Sequence, residues 1–389
     1  MTSSGDEALL RDCFLRARDH VFYREQFAGI ADWRDAPATD KNVLLERLSD
    51  FAPGDEPRGV YLVRSGGSTQ KPLIFRVDIV ENLAQRQALS ACLRTDGVFD
   101  PQTVALNIFG YSDLYRTAAI LDDLLERCEA TTLPMSAHAR YEDMLSIARR
   151  FGPTHLMGTP SKLILFARFL IDCGETLRIP QLLYAGEPLR DTILTLLRET
   201  FGTEQVWSLY GGAETGIWAW CDASRHPGLF RILPGLVVEV MAPDEDGFGP
   251  LAITNAFRAR FPVFRYRVGD VGRLIDRDGT HFLELRGRDS RSFQFAEMTF
   301  DLDLLTPLVS GADSFQVQLR FDAQGRDTLQ LLVVDDEGKC STGAIAAQLA
   351  KLLNCTGTPG ACDVRREPRA VLYQDPATTK TPAIVDFRR

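Results

Sequence analysis

No CxxC pair occurs among the eight cysteines, no apolar run approaches the length of a membrane span, and residues 1–20 hold no leader-like apolar stretch. A helical span needs about 18 uninterrupted apolar residues or more, so no membrane association is expected. The missing apolar stretch argues against a secretory leader, and scattered cysteines argue against a disulfide framework. Together they favour a cytoplasmic, reduced setting. Basic residues are in the minority: 44 Lys and Arg against 53 Asp and Glu, a net charge of −9. That balance excludes a protein whose main task is to neutralise a nucleic-acid backbone. It leaves room for a nucleotide, which needs only a few local donors. Repeats and low-complexity tracts are absent too, which excludes a solenoid.

What is there is an ordinary globular composition, 45% hydrophobic and 25% charged, over 389 residues. That length exceeds one ordinary domain and suits two. Apolar spacing predicts a helix over 6–29, strands at 60–63 and 73–77, and a helix over 78–95 capped by Asp78. Strand and helix patterns then alternate. Strands are expected at 104–109, 155–157, 181–185 and 206–209, and helices at 113–127, 141–151, 161–173 and 190–201. This alternation predicts an α/β fold with a layered, largely parallel sheet. From about 228 the pattern becomes short strands (237–241, 251–254, 272–275, 281–285), read as a small β subdomain. A last block reads as α+β, with strands at 314–321, 328–334 and 369–373 and a helix at 342–353. The expected division is a large N-terminal domain, 1–289, and a small C-terminal domain, 290–389.

Five segments could carry chemistry. Ser65-Gly66-Gly67-Ser68-Thr69-Gln70-Lys71-Pro72 can turn backbone N–H groups and hydroxyls toward an anion. Its spacing is not that of a Walker loop, and taken alone such a loop is more often a plain hairpin turn. Tyr210-Gly211-Gly212-Ala213-Glu214-Thr215 lets a ligand approach the backbone, with Glu214 a hard oxygen ligand for Mg2+. A solvated glutamate on a glycine turn is the plain alternative. Asp270, after Phe264-Arg265-Tyr266-Arg267-Val268-Gly269, is expected on a turn, where it could accept both hydroxyls of a ribose. Arg288, in Leu285-Arg286-Gly287-Arg288-Asp289, offers a guanidinium fork to a phosphate or ribose, or is a solvated linker residue. Lys380 lies near the end of the sequence, where lysines are usually solvated.

These five segments, in this order, resemble the adenylate-forming superfamily of acyl-CoA synthetases and adenylation domains, and within it the phenylacetate–CoA ligase-like group. The resemblance runs from about residue 10 to the end, and Tyr184-Ala185-Gly186-Glu187-Pro188 agrees with it. It implies that Ser65, Gly67, Ser68, Thr69 and Pro72 form a phosphate loop. Ala185, Gly186, Glu187 and Pro188 would lie against the adenine. Tyr210 and Gly211 would bind adenine and line the acid pocket, Glu214 would hold Mg2+, Asp270 would bind ribose, and Arg288 would precede the hinge. Lys380, followed by Ile384-Val385-Asp386-Phe387-Arg388, would neutralise charge as the carboxylate attacks the α-phosphate. The pocket would be lined by Phe109, Tyr111, Ala185, Tyr210, Gly211, Gly212 and Ala213, which suits a flat aryl or heteroaryl acid. Trp207 and Trp218 are further aromatics nearby, Trp207 favoured as core.

The implied activity is that of an AMP-forming ligase. ATP and a small aryl acid give an acyl-AMP, and a thiol of CoA or of a carrier protein's phosphopantetheine takes the acyl group. Two departures bear on this. Gly66 and Gln70 stand where the family has Ser and Gly. Residues 290–297 (Ser-Arg-Ser-Phe-Gln-Phe-Ala-Glu) replace the family's Asp-Asp and Arg-Gly pattern, which brings a carrier protein forward as acceptor. Transfer to an amine, or a non-catalytic binding protein on the same scaffold, are the alternatives. A homodimer is compatible with the resemblance. Cys221 and His226 make only two ligands, too few for a closed zinc site, so zinc is not expected and Cys221 is read as a small buried residue.

Overall fold

The computed structural model describes residues 4–40, 43–44, 46–47, 59–64, 74–111, 114, 116–186, 189, 191–277, 280–288, 292–296, 298–335, 338–373 and 383–388. They divide into a larger unit running through Gly287 and a smaller one from Arg288. No helix among the described residues is long and apolar enough to cross a membrane.

The larger unit opens with α1 (Ser4–Arg18), which is shorter than the spacing predicts. At His20 the ring Nδ1 accepts from Phe22 N at 3.1 Å, and a run of turns follows through residue 29. The apolar residues of this region still pack together: Leu10, Phe14, Tyr23 and Phe27 form a cluster with Val237 and Phe264. Strands β1 (Val60–Arg64) and β2 (Ile74–Asp78) pair antiparallel, as a strand-loop-strand unit should. Helix α2 (Ile79–Thr95) follows at once. Its cap is Asp78, whose carboxylate accepts from Val80 N and Glu81 N and satisfies two orphan donors of the first turn.

The α/β alternation follows. It comprises β3 (Val104–Asn107), α3 (Thr117–Arg127), β4 (Thr131–Pro134), α4 (Tyr141–Phe151), β5 (His155–Gly158), α5 (Pro160–Asp172), β6 (Gln181–Ala185), α6 (Asp191–Phe201) and β7 (Gln205–Gly212). The strands pair in parallel in the order β4-β3-β5-β6-β7. Short apolar strands between amphipathic helices leave few other ways to bury both faces of a sheet. The remaining strands are β8 (Gly216–Asp222), β9 (Leu229–Ile232), β10 (Leu236–Val240), β11 (Gly249–Asn255), β12 (Val263–Arg277) and β13 (Thr280–Arg288). The short strands expected from about 228 as a small β subdomain are joined to the same sheet, which among the described residues has eleven strands in the order β10-β11-β12-β13-β9-β8-β7-β6-β5-β3-β4. The bridge is the β7–β8 hairpin, which turns a parallel sheet antiparallel. The main core lies between this sheet and its helices.

The smaller unit holds the hairpin of β14 (Ser292–Phe295) and β15 (Met298–Asp301). Its four-stranded sheet is ordered β18-β17-β16-β19, from β16 (Ser314–Phe321), β17 (Asp327–Val334), β18 (Cys362–Arg366) and β19 (Ile384–Asp386). Helix α7 (Thr342–Leu352) packs Ile345 and Leu349 onto it. The strand expected at 369–373 is a correction. Residues Arg369–Val371 form a 3₁₀ turn capped by Pro368, and the strand is the preceding, more polar β18. Leu372 is buried against Leu332 and Val334, so its apolar character serves packing and not a ladder.

One core residue makes stability pH-dependent. His155 is 2% exposed, with Nε2 3.1 Å from the Val98 carbonyl oxygen and Nδ1 2.8 Å from the Thr154 hydroxyl. Burial pulls its pKa down from 6.5 to about 4. The folded protein therefore binds fewer protons than the unfolded chain between those values, and stability is lost as pH falls through that window. At pH 5 the shift opposes folding by about 2 kcal/mol relative to pH 7.5. Thermal unfolding at the two pH values should show this drop, and His155→Gln should flatten it.

Candidate active site

Parallel strands put their carboxyl ends on one edge, where α/β proteins bind ligands. The register makes the edge explicit. Asn107 pairs with Met157, Met157 with Leu183, and Leu183 with Trp207. A few residues further on, the segments containing Phe109, Thr159 and Gly186 therefore leave the sheet side by side, next to Tyr210, which stays in β7 just beyond its last parallel pair with β6. Asn107 shapes the first exit: its amide nitrogen donates to the Ala118 carbonyl at 2.9 Å, and its oxygen accepts from Phe109 N at 3.1 Å. Gly186 ends the third with φ +86°, a conformation that favours glycine.

The tip of the β7–β8 hairpin carries Tyr210, Gly211, Gly212, Ala213 and Glu214. Gly211, Gly212 and Ala213 are exposed and Glu214 is half-buried. Gly211 is glycine for a steric reason. A Cβ there would collide with the Gly216 carbonyl oxygen and lie 2.7 Å from Ile217 Cα. Thr215 closes the turn, its Oγ1 accepting from Gly212 N at 3.1 Å. Tyr210 is held edge-on by Trp218, with ring centroids 4.8 Å apart, and is flanked by Phe230 at 5.6 Å.

Strand β12 reaches this tip although three strands separate it from β7 in the sheet. Strong twist is the ordinary means of such an approach. The Tyr210 hydroxyl donates to the Asp270 carboxylate, and the fully buried Tyr266 donates to Glu214 Oε1 at 2.5 Å. The turn expected at Asp270 is a correction: Asp270 lies within β12, beside a register shift against β11 and after Gly269 at φ +79°. A glycine in a bulge produces the same local signal as a turn.

The aromatic lining differs from the expectation. Phe109 is 1% exposed and belongs to the core, as do Trp207 and Trp218, while Tyr111 is 56% exposed. Trp207 Nε1 donates to Gln181 Oε1 at 3.2 Å, which fixes it as a packing residue. Cys221 is buried in β8, where burial pushes its thiol up to about 12. Ser65, Gly67, Ser68, Thr69, Pro72, Glu187, Pro188 and Lys380 lie outside the described residues, and of Arg288 only the backbone, at the end of β13, is described.

Glu214 is a donor of the type that a magnesium ion takes. Its carboxylate supplies hard oxygens, and no group of three His, Cys, Asp or Glu among the described residues could hold a metal unaided. Mg2+ usually takes one or two carboxylates and completes its shell with water and phosphate.

Sequence reading missed the supports of this tip. Gln85 on α2 and Asn255 on β11 reach its underside, each 1% exposed. Helix α2 is itself tied to the loop after β11. The Arg260 guanidinium lies 2.9 Å from Asp78, and Arg258 Nη2 donates to Asn82 Oδ1 at 3.0 Å. Burial pulls Arg258 down to about 10, while the Glu81 and Asp78 charges act in the opposite direction. The available signal was weak: polar residues on a helix face otherwise turned toward the core.

No family model matches the sequence. Among solved structures, 2-hydroxyisobutyryl-CoA ligase, in complex with 2-HIB-AMP and CoA, superimposes with a TM-score of 0.68 at 18% identity, over 98% of this chain and 88% of that one. The chain has the adenylate-forming ligase fold. An amide bond synthetase, McbA from Marinactinospora thermotolerans, shares it with a TM-score of 0.55 at 18% identity, over 83% of this chain and 68% of that one. A malonyl-CoA ligase bound to methylmalonyl-CoA and AMP gives 0.54 at 17% identity, over 79% and 71%. A curated relative, the indoleacetate–lysine synthetase of Pseudomonas savastanoi, is 26% identical over 142 residues. That match spans 36% of this chain and about a third of the relative's length, 34%.

Proposed function

We propose that this chain uses Mg2+ and ATP to convert a small carboxylic acid to an acyl-AMP, releasing pyrophosphate, and then transfers the acyl group to a thiol or an amine. The observation that carries the reading is the convergence of Tyr210, Glu214, Tyr266 and Asp270 on one hairpin at the carboxyl edge of a sheet of this fold. A carboxylate oxygen of the acid attacks the α-phosphorus. The bond from that phosphorus to the α–β bridging oxygen breaks, and pyrophosphate leaves with the electron pair. Tyr210 presents a flat face to the adenine. Asp270 accepts ribose hydroxyls in exchange for the Tyr210 hydroxyl. Glu214 holds Mg2+, which when bound offsets the negative charge of the phosphates. Ser65, Gly67, Ser68 and Thr69 cradle those phosphates, Lys380 neutralises charge on the α-phosphate, and residues from 290 onward form a mobile C-terminal domain. These last roles rest on the motif resemblance.

For the acid we favour a small aryl or heteroaryl group, because the exposed Tyr111 follows the carboxyl end of β3 and the half-buried Tyr210 stands near that of β7, and either ring could pack against a flat acid. For the acceptor, an amine competes with a thiol. The curated relative is a synthetase named for indoleacetate and lysine, and an amide bond synthetase shares the fold. One experiment tests both choices. Acid-dependent pyrophosphate release is measured over aryl and aliphatic acids, and products formed with CoA, a phosphopantetheinylated carrier protein and lysine are weighed by mass spectrometry. Aryl acids should give at least about 10-fold higher kcat/KM than aliphatic acids of equal size, an ordinary margin for pocket discrimination. A response to aliphatic acids alone would overturn the aryl assignment. No release with any acid would overturn the activity.

A further inference from the structure

We propose that Gln85 and Asn255 are positioning residues that lock the Glu214 turn in place for metal and ATP. The inference deepens the adenylation reading and rests on it for its functional half. The network is complete and buried. Gln85 Nε2 donates to the carbonyl oxygens of Thr215 at 3.0 Å and Ile217 at 3.1 Å. Asn255 Nδ2 donates to Gln85 Oε1 and to the Thr215 oxygen, both at 3.1 Å. Asn255 Oδ1 in turn accepts from Phe257 N at 3.0 Å. Each amide hydrogen has an acceptor, and the Thr215 oxygen receives two donors, one from each amide. The pattern fixes which way both amides face, because the carbonyls need donors and Phe257 N needs an acceptor.

Gly216 joins the clamp sterically. Its φ is +74°, and a Cβ there would lie 2.8 Å from Gln85 Nε2. The Thr215 peptide is thus held from below by hydrogen bonds and by close packing, while Tyr266 holds the adjacent Glu214 side chain. Hairpin tips with exposed glycines ordinarily open easily. Here the residue after the glutamate is anchored to α2 and β11, so the carboxylate needs little ordering when ATP arrives. Pre-organisation of this kind lowers the cost of binding a charged ligand.

The test uses Gln85→Met, which keeps length and removes both donors, and Asn255→Asp, which keeps the acceptor for Phe257 N and removes its donors. Gln181→Met, which loses the part-buried hydrogen bond from Trp207 elsewhere on the sheet, is the control. Hydrogen exchange of the amides in 211–217 should quicken by about 10- to 100-fold in both variants, with residues 117–127 unchanged. By calorimetry, ATP affinity in the presence of Mg2+ should fall by about 10-fold, and the KM for the acid should move by less than about 2-fold. Unaltered exchange at 211–217, a rise in exchange spread across the larger unit in both variants, or a similar effect in Gln181→Met would overturn the proposal. If Gln85→Met fails to fold, Asn255→Asp decides. If the unaltered protein releases no pyrophosphate, the adenylation reading fails, while hydrogen exchange still judges the clamp.

Discussion

Glu214→Gln is expected to lower acid-dependent pyrophosphate release by about 10²- to 10³-fold while leaving the unfolding temperature nearly unchanged. The substitution removes charge but little else. Glutamine is as long as glutamate and keeps an oxygen that can accept from the Tyr266 hydroxyl, so the contact with β12 survives. The turn itself depends on backbone groups and on Thr215, Gln85 and Asn255, none of which is altered. What is lost is the hard anionic oxygen that magnesium prefers over a neutral amide. Single-turnover pyrophosphate release, with thermal unfolding measured in parallel, separates the two contributions. Activity within about threefold of the unaltered protein would make Glu214 a structural residue whose main partner is Tyr266.

Lys380→Ala should cost adenylation a similar factor, about 10²- to 10³-fold, yet leave acyl transfer from supplied acyl-AMP within about twofold. The argument is electrostatic. Attack on the α-phosphorus brings a carboxylate onto an already anionic centre, and a lysine is a compact point charge suited to offsetting that build-up. In transfer, the leaving group is AMP and the nucleophile is a thiol or amine, so the same charge is not called for in the same place. Assaying each half-reaction separately, with synthetic acyl-AMP for the second, makes the distinction. Equal loss in both would show that Lys380 supports the whole fold or both steps. No loss in either would remove it from the site.

The sequence was a good guide wherever structure is local. The alternation of strands and helices between 104 and 209, the half-exposed β4 apart, the Asp78 cap and the paired strands around the 65–72 segment were legible because spacing and capping act over a few residues. Pairing across the chain was not. Nothing in the short strands after 228 says that they join the same sheet as β7, since that depends on the β8 and β9 strands and on twist. The same limit applies to the site. Glu214 and Asp270 stood out by motif, but their tyrosine partners are 52 and 60 residues away, and Gln85 is 130 residues from Thr215. A buried glutamine has no periodic signature, so its role emerges only when the helix and the hairpin meet. Gly269 misled in the opposite direction: a glycine that bends a strand resembles one that ends it.

The crowding beneath Gly211 has a consequence for how this protein could diversify. Any side chain at that position would strike the backbone of the neighbouring strand, so its substitutions are closed to selection before substrate preference is ever tested. Ala213 stands exposed two residues along and already carries a Cβ. Gly212 is intermediate, with an added Cβ 3.2 Å from the Glu214 Oε2 atom, so enlargement there would displace the Glu214 carboxylate as it reshaped the surroundings. Neighbouring glycines that look interchangeable in the sequence therefore differ in evolutionary freedom. A directed search for new acid preferences should accumulate its successes at 213, few at 212 and none at 211.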